Sequence, residues 1–219
     1  MRFAVMGAGA MGGMFGARLA EAGHEVLLVE VSPKIVAAIE GRGLRIVEPG
    51  GAERRVCLSV TADPEGELAA DYVIFFVKNY NTESAARLAM PLVGKETTVV
   101  SLQNGWGNGE TLAGAFDEQR LVVGVTYHSA TVLEPGTVAH TGEGQTVVGA
   151  YDSEGAERAE AFAAALRSTG FAVAVSSAVR TEIWKKLMLN AATLPTAALT
   201  RLTAGVLGEE GQMLSLVNE

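Results

Sequence analysis

Short apolar runs alternate with longer segments of helical periodicity over most of this chain. Such alternation is typical of an α/β fold, in which helices connect the strands of a largely parallel sheet. The apolar runs predict strands at residues 3–6, 26–29, 72–77, 97–102, 121–125 and 171–175. The helical periods predict helices at residues 11–22, 33–40, 82–92, 109–115 and 154–168. The centre of the fold is therefore expected to be a sheet with helical crossovers.

Two antiparallel hairpins are predicted where strand-like arms flank turn residues rich in glycine and proline. The first has arms at residues 44–47 and 54–60 and is inserted after the second helix. The second has arms at residues 131–133 and 137–140, around Glu134-Pro135-Gly136.

The first strand leads directly into a glycine-rich motif. Gly7-Ala8-Gly9-Ala10-Met11-Gly12 is a G-x-G-x-x-G sequence between a strand and a helix, and Glu30 follows the second strand. In this context Gly7 permits a tight turn, Gly9 leaves room for a pyrophosphate, and Gly12 lets helix and strand pack closely. Backbone N–H groups at the helix start then face the phosphates. The motif predicts a Rossmann-type dinucleotide site formed by residues 7–12 and Glu30.

The same glycines have a structural alternative, in which they serve a turn and close packing without any ligand. Gly13 and Gly16 lie in the same predicted helix. We expect these two to serve packing alone, because small residues let a helix approach a sheet closely.

The hydrophobic pattern changes after about Ser177. No further strand-like run follows, and residues 180–199 predict one long helix with Pro195 near its end. Residues 213–219 predict a helix that stops without a capping pattern. The segment between these helices is interrupted by Gly205, Gly208 and Gly211.

This change predicts two domains. We expect a dinucleotide-binding Rossmann domain over residues 1–177 and the beginning of a helical substrate or dimerisation domain over residues 178–219. The incomplete second domain predicts that the chain is a fragment, or a naturally truncated relative, of a longer protein.

The composition narrows the classes of function. With 219 residues, of which 48% are hydrophobic, the chain can bury one large or two smaller cores. A net charge of −8 argues against a nucleic acid partner, because the chain does not supply the positive charge that would neutralise phosphates.

The distribution of apolar residues, cysteine and histidine further narrows the possible classes of function and location. No apolar run reaches the roughly 20 residues needed to span a bilayer, and no signal peptide pattern is present, so we expect no membrane association. The single cysteine, Cys57, excludes an internal disulfide and fits a cytoplasmic location. The three histidines are scattered, so no metal centre is expected. The sequence leaves open whether the protein forms a homodimer.

A lysine and an asparagine in the long helix form a candidate catalytic pair. Lys186 and Asn190 are four residues apart, so they share one helix face and can both reach a small substrate. Hydride transfer to a carbonyl needs a proton donor, and burial lowers the pKa of a lysine toward neutrality. The alternative is an exposed ion pair between Glu182 and Lys186. Spacing alone does not distinguish Lys185 from Lys186 as the residue that faces the site.

The ends of two predicted strands carry further polar candidates. Asn104, in Gln103-Asn104-Gly105-Trp106-Gly107, follows the strand at residues 97–102, and Lys78 follows the strand at residues 72–77. This edge of a Rossmann sheet lies beside the nicotinamide, so the Asn104 amide is a candidate contact to substrate or cofactor ribose. Lys78 is a candidate for holding a cofactor phosphate. The alternatives are a simple Asn-Gly turn and a strand that ends in solvent.

Four segments, taken together and in this order, resemble one enzyme family. They are Phe-Ala-Val-Met-Gly-Ala-Gly-Ala-Met-Gly at 3–12, Val-Lys at 77–78, Gln-Asn-Gly at 103–105 and Glu-Ile-Trp-Lys-Lys-Leu-Met-Leu-Asn at 182–190. Over essentially its whole length the chain resembles the ketopantoate reductases (2-dehydropantoate 2-reductases), and Trp-x-Lys-Leu-x-x-Asn is the most specific element. The resemblance implies reduction of ketopantoate, a small 2-oxo acid, to (R)-pantoate with NADPH, on the route to pantothenate and coenzyme A.

The resemblance also implies roles for individual residues. Lys186 is implied to be the general acid that protonates the nascent alkoxide, and Asn190 is implied to contact the substrate one turn later. Asn104 is implied to bridge the substrate and the nicotinamide ribose. Ala130, in the Tyr-His-Ser-Ala stretch, is implied to contact the cofactor.

Three departures from the family pattern affect these expectations. Leu194 precedes Pro195 where the family has an Asn-Pro pair, so one polar substrate contact is absent. Glu30 and Val31 stand where family members usually carry an arginine for the 2′-phosphate of NADP, so we expect NAD(H) to be tolerated or preferred. The remaining helical domain of the family lies beyond Glu219.

Two alternative functions remain open from the sequence. The β-hydroxyacid dehydrogenases also carry a lysine and an asparagine four residues apart on the first helix after the nucleotide domain. A Rossmann module that binds a nucleotide without turnover is the second alternative, because the same architecture serves many functions.

Overall fold

The protein is seen in a computed structural model that describes residues 1–202 and Val206. The strands are β1 (Arg2–Met6), β2 (Glu25–Val29), β3 (Leu44–Val47), β4 (Glu53–Val56), β5 (Ser59–Thr61), β6 (Ala70–Phe75), β7 (Val93–Ser101), β8 (Leu121–Thr126), β9 (Ser129–Glu134), β10 (Thr137–Gly142), β11 (Thr146–Ala150) and β12 (Val173–Val175). The helices are α1 (Ala10–Glu21), α2 (Pro33–Arg42), α3 (Thr82–Ala89), α4 (Asn108–Ala113), α5 (Ala156–Arg167) and α6 (Val179–Thr200).

The centre of the fold is an eight-stranded sheet in the order β12, β11, β8, β7, β6, β1, β2, β5. Neighbouring strands are parallel except for β8 and β11, which are antiparallel. Helices cover both faces, so the central strands are buried on both sides and read as continuous apolar runs. The predicted α/β fold with a Rossmann-type core is confirmed, and the carboxyl ends of β1, β2, β6, β7 and β8 share one edge.

Two predictions for the strands need correction. The expected hairpin arm at residues 54–60 is wrong, because β4 ends at Val56 and the chain then changes direction. The following strand, β5, pairs in parallel with β2 and forms the edge of the main sheet. The strand β11 was not predicted. It pairs with β8 in antiparallel orientation, so it does not belong to the pattern of parallel strands joined by helices.

The two predicted hairpins join into a second sheet. Its strand order is β4, β3, β10, β9, and β3 pairs in parallel with β10. Helix α1 lies between this sheet and the main sheet. A Cβ atom at Gly13 would lie 3.2 Å from Val138 of the second sheet, and one at Gly16 would lie 2.8 Å from Leu28 of the main sheet. The packing role predicted for Gly13 and Gly16 is therefore confirmed.

The long helix α6 follows the main sheet and confirms the helix predicted at residues 180–199. Only its first residue, Val179, is buried, and the helix continues through Pro195. The predicted division at residue 177 stays a prediction, and the glycines and the helix predicted after residue 202 lie outside the described residues. None of the helices in the described part of the chain combines the length and apolar character needed to cross a bilayer.

Candidate active site

The three motif glycines face different constraints. Gly7 follows β1 with φ of +98°, a conformation that other residues rarely adopt. A Cβ atom at Gly12 would lie 1.9 Å from the carbonyl oxygen of Gly7, so only glycine fits there. Gly9 has φ of −70°, and a Cβ atom built on it would meet nothing within 4 Å. The fold thus requires Gly7 and Gly12, whereas the space above Gly9 is open.

The N-terminus of α1 faces this open space. Gly9 is the N-cap residue; no side chain caps the helix, and its first turn carries no acidic residue. The N–H groups of the first helical residues, Ala10, Met11 and Gly12, have no acceptor within the helix. An unsatisfied helix N-terminus of this kind favours an anion such as a phosphate.

A cavity of about 350 Å³ continues from the glycine-rich turn along the ends of β1, β2 and β6. It brings together four of the residues predicted from sequence, which are Gly7, Gly9, Glu30 and Lys78. The opposite wall was not predicted from the sequence; it is formed by Asn81, Ser84, Ala85 and Leu88. These residues begin one turn after Lys78, so their position after a parallel strand was the signal that could have identified them.

Glu30 is held at the rim of this cavity by two backbone hydrogen bonds. The N–H of Ala8 donates to Oε2 at 2.9 Å, and the N–H of Ser32 donates to Oε1 at 2.9 Å. The neighbouring Val31 is 70% exposed. The N–H of Ala8, one of the predicted cofactor-binding residues 7–12, is therefore directed at the Glu30 carboxylate.

Lys186 is half-buried at the end of β8. Its Nζ donates to the carbonyl oxygen of Thr126 and lies 4.4 Å from the centre of the Tyr127 ring. Burial lowers the pKa of the Lys186 ammonium from its ordinary value. Glu182 pairs instead with the exposed Lys185, at 2.8 Å. The alternative of a Glu182–Lys186 ion pair is therefore not observed, and Lys186 is the lysine that turns toward the sheet.

The other predicted substrate and cofactor residues are more scattered. Asn190 lies one turn after Lys186 on the half-buried side of α6. Asn104 is exposed in the loop after β7, and its carbonyl oxygen accepts from Nδ2 of Asn108 at 3.2 Å. Ala130 lies in β9, where it packs against the main core. The structure thus brings Lys186 and Asn104 to the ends of neighbouring strands, while Ala130 belongs to the second sheet.

A buried amide network, which the sequence analysis missed, fixes the loop after β7. Nε2 of Gln103 donates to the carbonyl oxygen of Val77 and to the hydroxyl of Thr82, both at 2.8 Å. The Thr82 hydroxyl donates in turn to Oδ1 of Asn108 at 3.1 Å, and Asn79 donates to the same oxygen at 3.0 Å. The loop that carries Asn104 is thereby tied to the loop that carries Lys78.

A pair of tryptophans joins the same loop to α6. The rings of Trp106 and Trp184 are 5.0 Å apart at an angle of 33°. Trp184 precedes Lys186 by two residues, so this contact links the loop of Asn104 to the helix of Lys186.

Comparison with known proteins identifies a family. The family described as ketopantoate reductase PanE/ApbA matches residues 3–153. A 2-dehydropantoate 2-reductase from Halobacterium salinarum is 34% identical over 209 residues, which cover 95% of this chain and 69% of that protein. The solved PanE/ApbA family ketopantoate reductase from Ralstonia eutropha is 36% identical, with a TM-score of 0.85 over 100% of this chain and 70% of that one.

A ternary structure of D-mandelate dehydrogenase with NADH and anilino(oxo)acetate is 25% identical, with a TM-score of 0.92 over 99% of this chain and 70% of that one. The chain therefore spans about 70% of the length of these proteins. The matched family, the sequence identity and the shared fold agree: the chain belongs to the ketopantoate reductases, a family of NAD(P)-dependent oxidoreductases.

Proposed function

We propose that this protein reduces ketopantoate to (R)-pantoate with a nicotinamide cofactor, a step of pantothenate and coenzyme A biosynthesis. Membership of the ketopantoate reductase family supports the reaction class. The observation that carries the proposal is the environment of Lys186. A half-buried ammonium, with no carboxylate of residues 1–202 within ion-pair distance, lies at the sheet edge that also bears the cavity and the open helix N-terminus.

The residues around the cavity fit a dinucleotide. The space above Gly9 and the free N–H groups of α1 suit a pyrophosphate, and the Glu30 carboxylate can accept hydrogen bonds from a ribose hydroxyl. When bound, the reduced nicotinamide supplies the hydride that adds to the substrate carbonyl carbon. These features support the assignment of Gly7, Gly9 and Glu30 to the cofactor site.

The chain itself supplies the proton. As the hydride reaches the carbonyl carbon, negative charge develops on the carbonyl oxygen, and the Lys186 ammonium donates a proton to it. The product is the alcohol, and Lys186 then regains a proton from solvent. A lysine with a lowered pKa is a stronger acid than an exposed one, so burial suits Lys186 to this role. Asn190, one turn away, is proposed to hold the substrate.

Turnover tests this function directly. The purified protein is mixed with ketopantoate and either NADH or NADPH, and the absorbance of the reduced nicotinamide is followed. We expect consumption of cofactor that depends on ketopantoate, with (R)-pantoate as product. Binding of cofactor without turnover would contradict the proposal and favour a nucleotide-binding module. Oxidation of 3-hydroxy acids or of D-mandelate with NAD⁺ or NADP⁺, with no reduction of ketopantoate, would show a different dehydrogenase.

We infer further that NADH binds at least as tightly as NADPH. The carboxylate of Glu30 lies at the cavity rim, where a 2′-hydroxyl can donate to it and a 2′-phosphate would be repelled. Glu30→Gln removes this repulsion, so we expect it to strengthen NADPH binding relative to NADH by at least about tenfold. Dissociation constants from calorimetry check this.

Lys78 provides the opposing control, because it lines the same cavity with a positive charge. Lys78→Met should weaken the binding of NADPH without increasing that of NADH. A strong preference of the parent protein for NADPH would contradict the argument from Glu30.

A further inference from the structure

Tyr127 lies directly under the Lys186 ammonium group. It follows β8, and its backbone N–H donates to the carbonyl oxygen of Gln145 at 2.9 Å, which fixes it beside the start of β11. Tyr127 is 37% exposed, and its ring centre is 4.4 Å from Nζ of Lys186. A cation at this distance from an aromatic face is attracted by the ring quadrupole.

We propose that Tyr127 is a positioning residue for Lys186 in the reaction proposed above, on which this inference rests. The lysine side chain has four rotatable bonds, so its ammonium needs fixed neighbours to stay in one place. The Thr126 carbonyl accepts one of its three N–H groups, and the Tyr127 ring attracts the charge from a second side. At least one N–H then remains for the substrate oxygen.

An aromatic ring holds the charge without competing for the proton. A carboxylate at the same place would stabilise the ammonium more strongly and make it a weaker acid. The Glu182 carboxylate, on the same helix, does not stabilise the Lys186 ammonium in this way, because it pairs with Lys185. His128, the next residue after Tyr127, has its ring against His140 of the second sheet. Within residues 1–202, Lys186 is thus held by a carbonyl oxygen and a π face.

The hydroxyl of Tyr127 is not needed for this role. The contact that the structure shows with the Lys186 ammonium is made by the ring face. Two variants distinguish the effect of the π face from the effect of an apolar side chain that only shields the ammonium from water. Tyr127→Leu keeps an apolar side chain over the ammonium and removes the π face, whereas Tyr127→Phe keeps the π face and removes the hydroxyl.

The test is an NMR titration of the lysine side chains in the purified protein. The chain has five lysines, and the Lys186 signal is assigned by its loss in Lys186→Met. We expect Lys186 to titrate at lower pH in Tyr127→Leu than in the parent, by about half a pH unit, because the ring no longer stabilises the charged form. Tyr127→Phe should restore the parent midpoint.

Turnover provides the second arm. In Tyr127→Leu, kcat for ketopantoate should fall severalfold, because the loss of a fixed ammonium position outweighs the small gain in acidity. The dissociation constant of the cofactor should stay the same. An unchanged or raised Lys186 midpoint in Tyr127→Leu would overturn the proposal, because the ring would then only shield the ammonium from water and would not stabilise its charge. A lowered midpoint together with full activity of Lys186→Ala would leave the contact intact and refute the proposed role of Lys186 instead.

Discussion

Lys186→Ala is expected to lower kcat for ketopantoate reduction by about 10²–10⁴-fold, which is the usual contribution of a positioned general acid. Without the ammonium, the developing negative charge on the carbonyl oxygen has to be neutralised by water. The dissociation constant of the cofactor should change little, because Lys186 lies at the end of β8 and does not line the cavity around Gly9. Steady-state kinetics and calorimetry measure the two effects.

Lys185→Ala is the matched control. Lys185 is on the same helix, but its side chain is exposed and paired with Glu182, so its loss should leave kcat nearly unchanged. Exposed pairs of this kind contribute little to stability. Equal effects of the two substitutions would mean that neither lysine faces the substrate. Full activity of Lys186→Ala would refute its assignment as the acid.

The pH dependence follows from the same environment. A general acid has to be protonated, so kcat falls as the pH rises through the pKa of Lys186. Burial lowers that pKa, whereas the hydrogen bond to Glu182 raises the pKa of Lys185. The alkaline decline of kcat should therefore occur at lower pH than the titration of Lys185.

Local signals in the sequence predicted the nucleotide half of the fold well. The turn at Gly7, the helix after it and Glu30 lie within thirty residues of one another, so their arrangement depends on short-range geometry. Strands buried on both faces are continuous apolar runs, and β1, β2, β6 and β8 could be recognised for that reason.

Long-range pairing explains what the sequence could not reveal. The second partner of β3 is β10, about ninety residues away, and no local pattern indicates that two hairpins will join there. Residues 59–61 have the composition of a hairpin arm, but their place is decided by the free edge of β2. Pairing across the sheet also gives β11 its antiparallel direction.

In the candidate site, too, the short-range geometry could be predicted from the sequence and the long-range contacts could not. Spacing alone showed that Lys186 and Asn190 share a helix face. It did not distinguish Lys185 from Lys186, because the packing of α6 against β8 decides which face of the helix turns toward the sheet. The contact of Glu30 with the Ala8 N–H likewise depends on how the ends of two strands meet. The hydrogen-bond network through Gln103 joins loops that are more than twenty residues apart in sequence. No sequence motif predicts such a contact.

Gly9→Val is expected to abolish binding of the nicotinamide cofactor. A side chain at Gly9 would occupy the space in which the pyrophosphate approaches the backbone at the start of α1. The substitution should not disturb folding, because φ of −70° suits valine and the new side chain would meet no protein atom within 4 Å of its Cβ. Calorimetric titration with NADH and a thermal melt measure the two properties on the same sample.

Gly41→Val is the matched control for this substitution. Gly41 is exposed in α2, its Cβ position is also free of contacts within 4 Å, and it does not line the cavity. Both variants should melt close to the parent, and only Gly9→Val should lose the cofactor. Gly12→Ala, by contrast, should fail at the level of folding, because its Cβ would collide with the Gly7 carbonyl. If Gly9→Val binds NADH as tightly as Gly41→Val does, the glycines serve the turn and the packing of α1 alone, and the dinucleotide has to bind elsewhere.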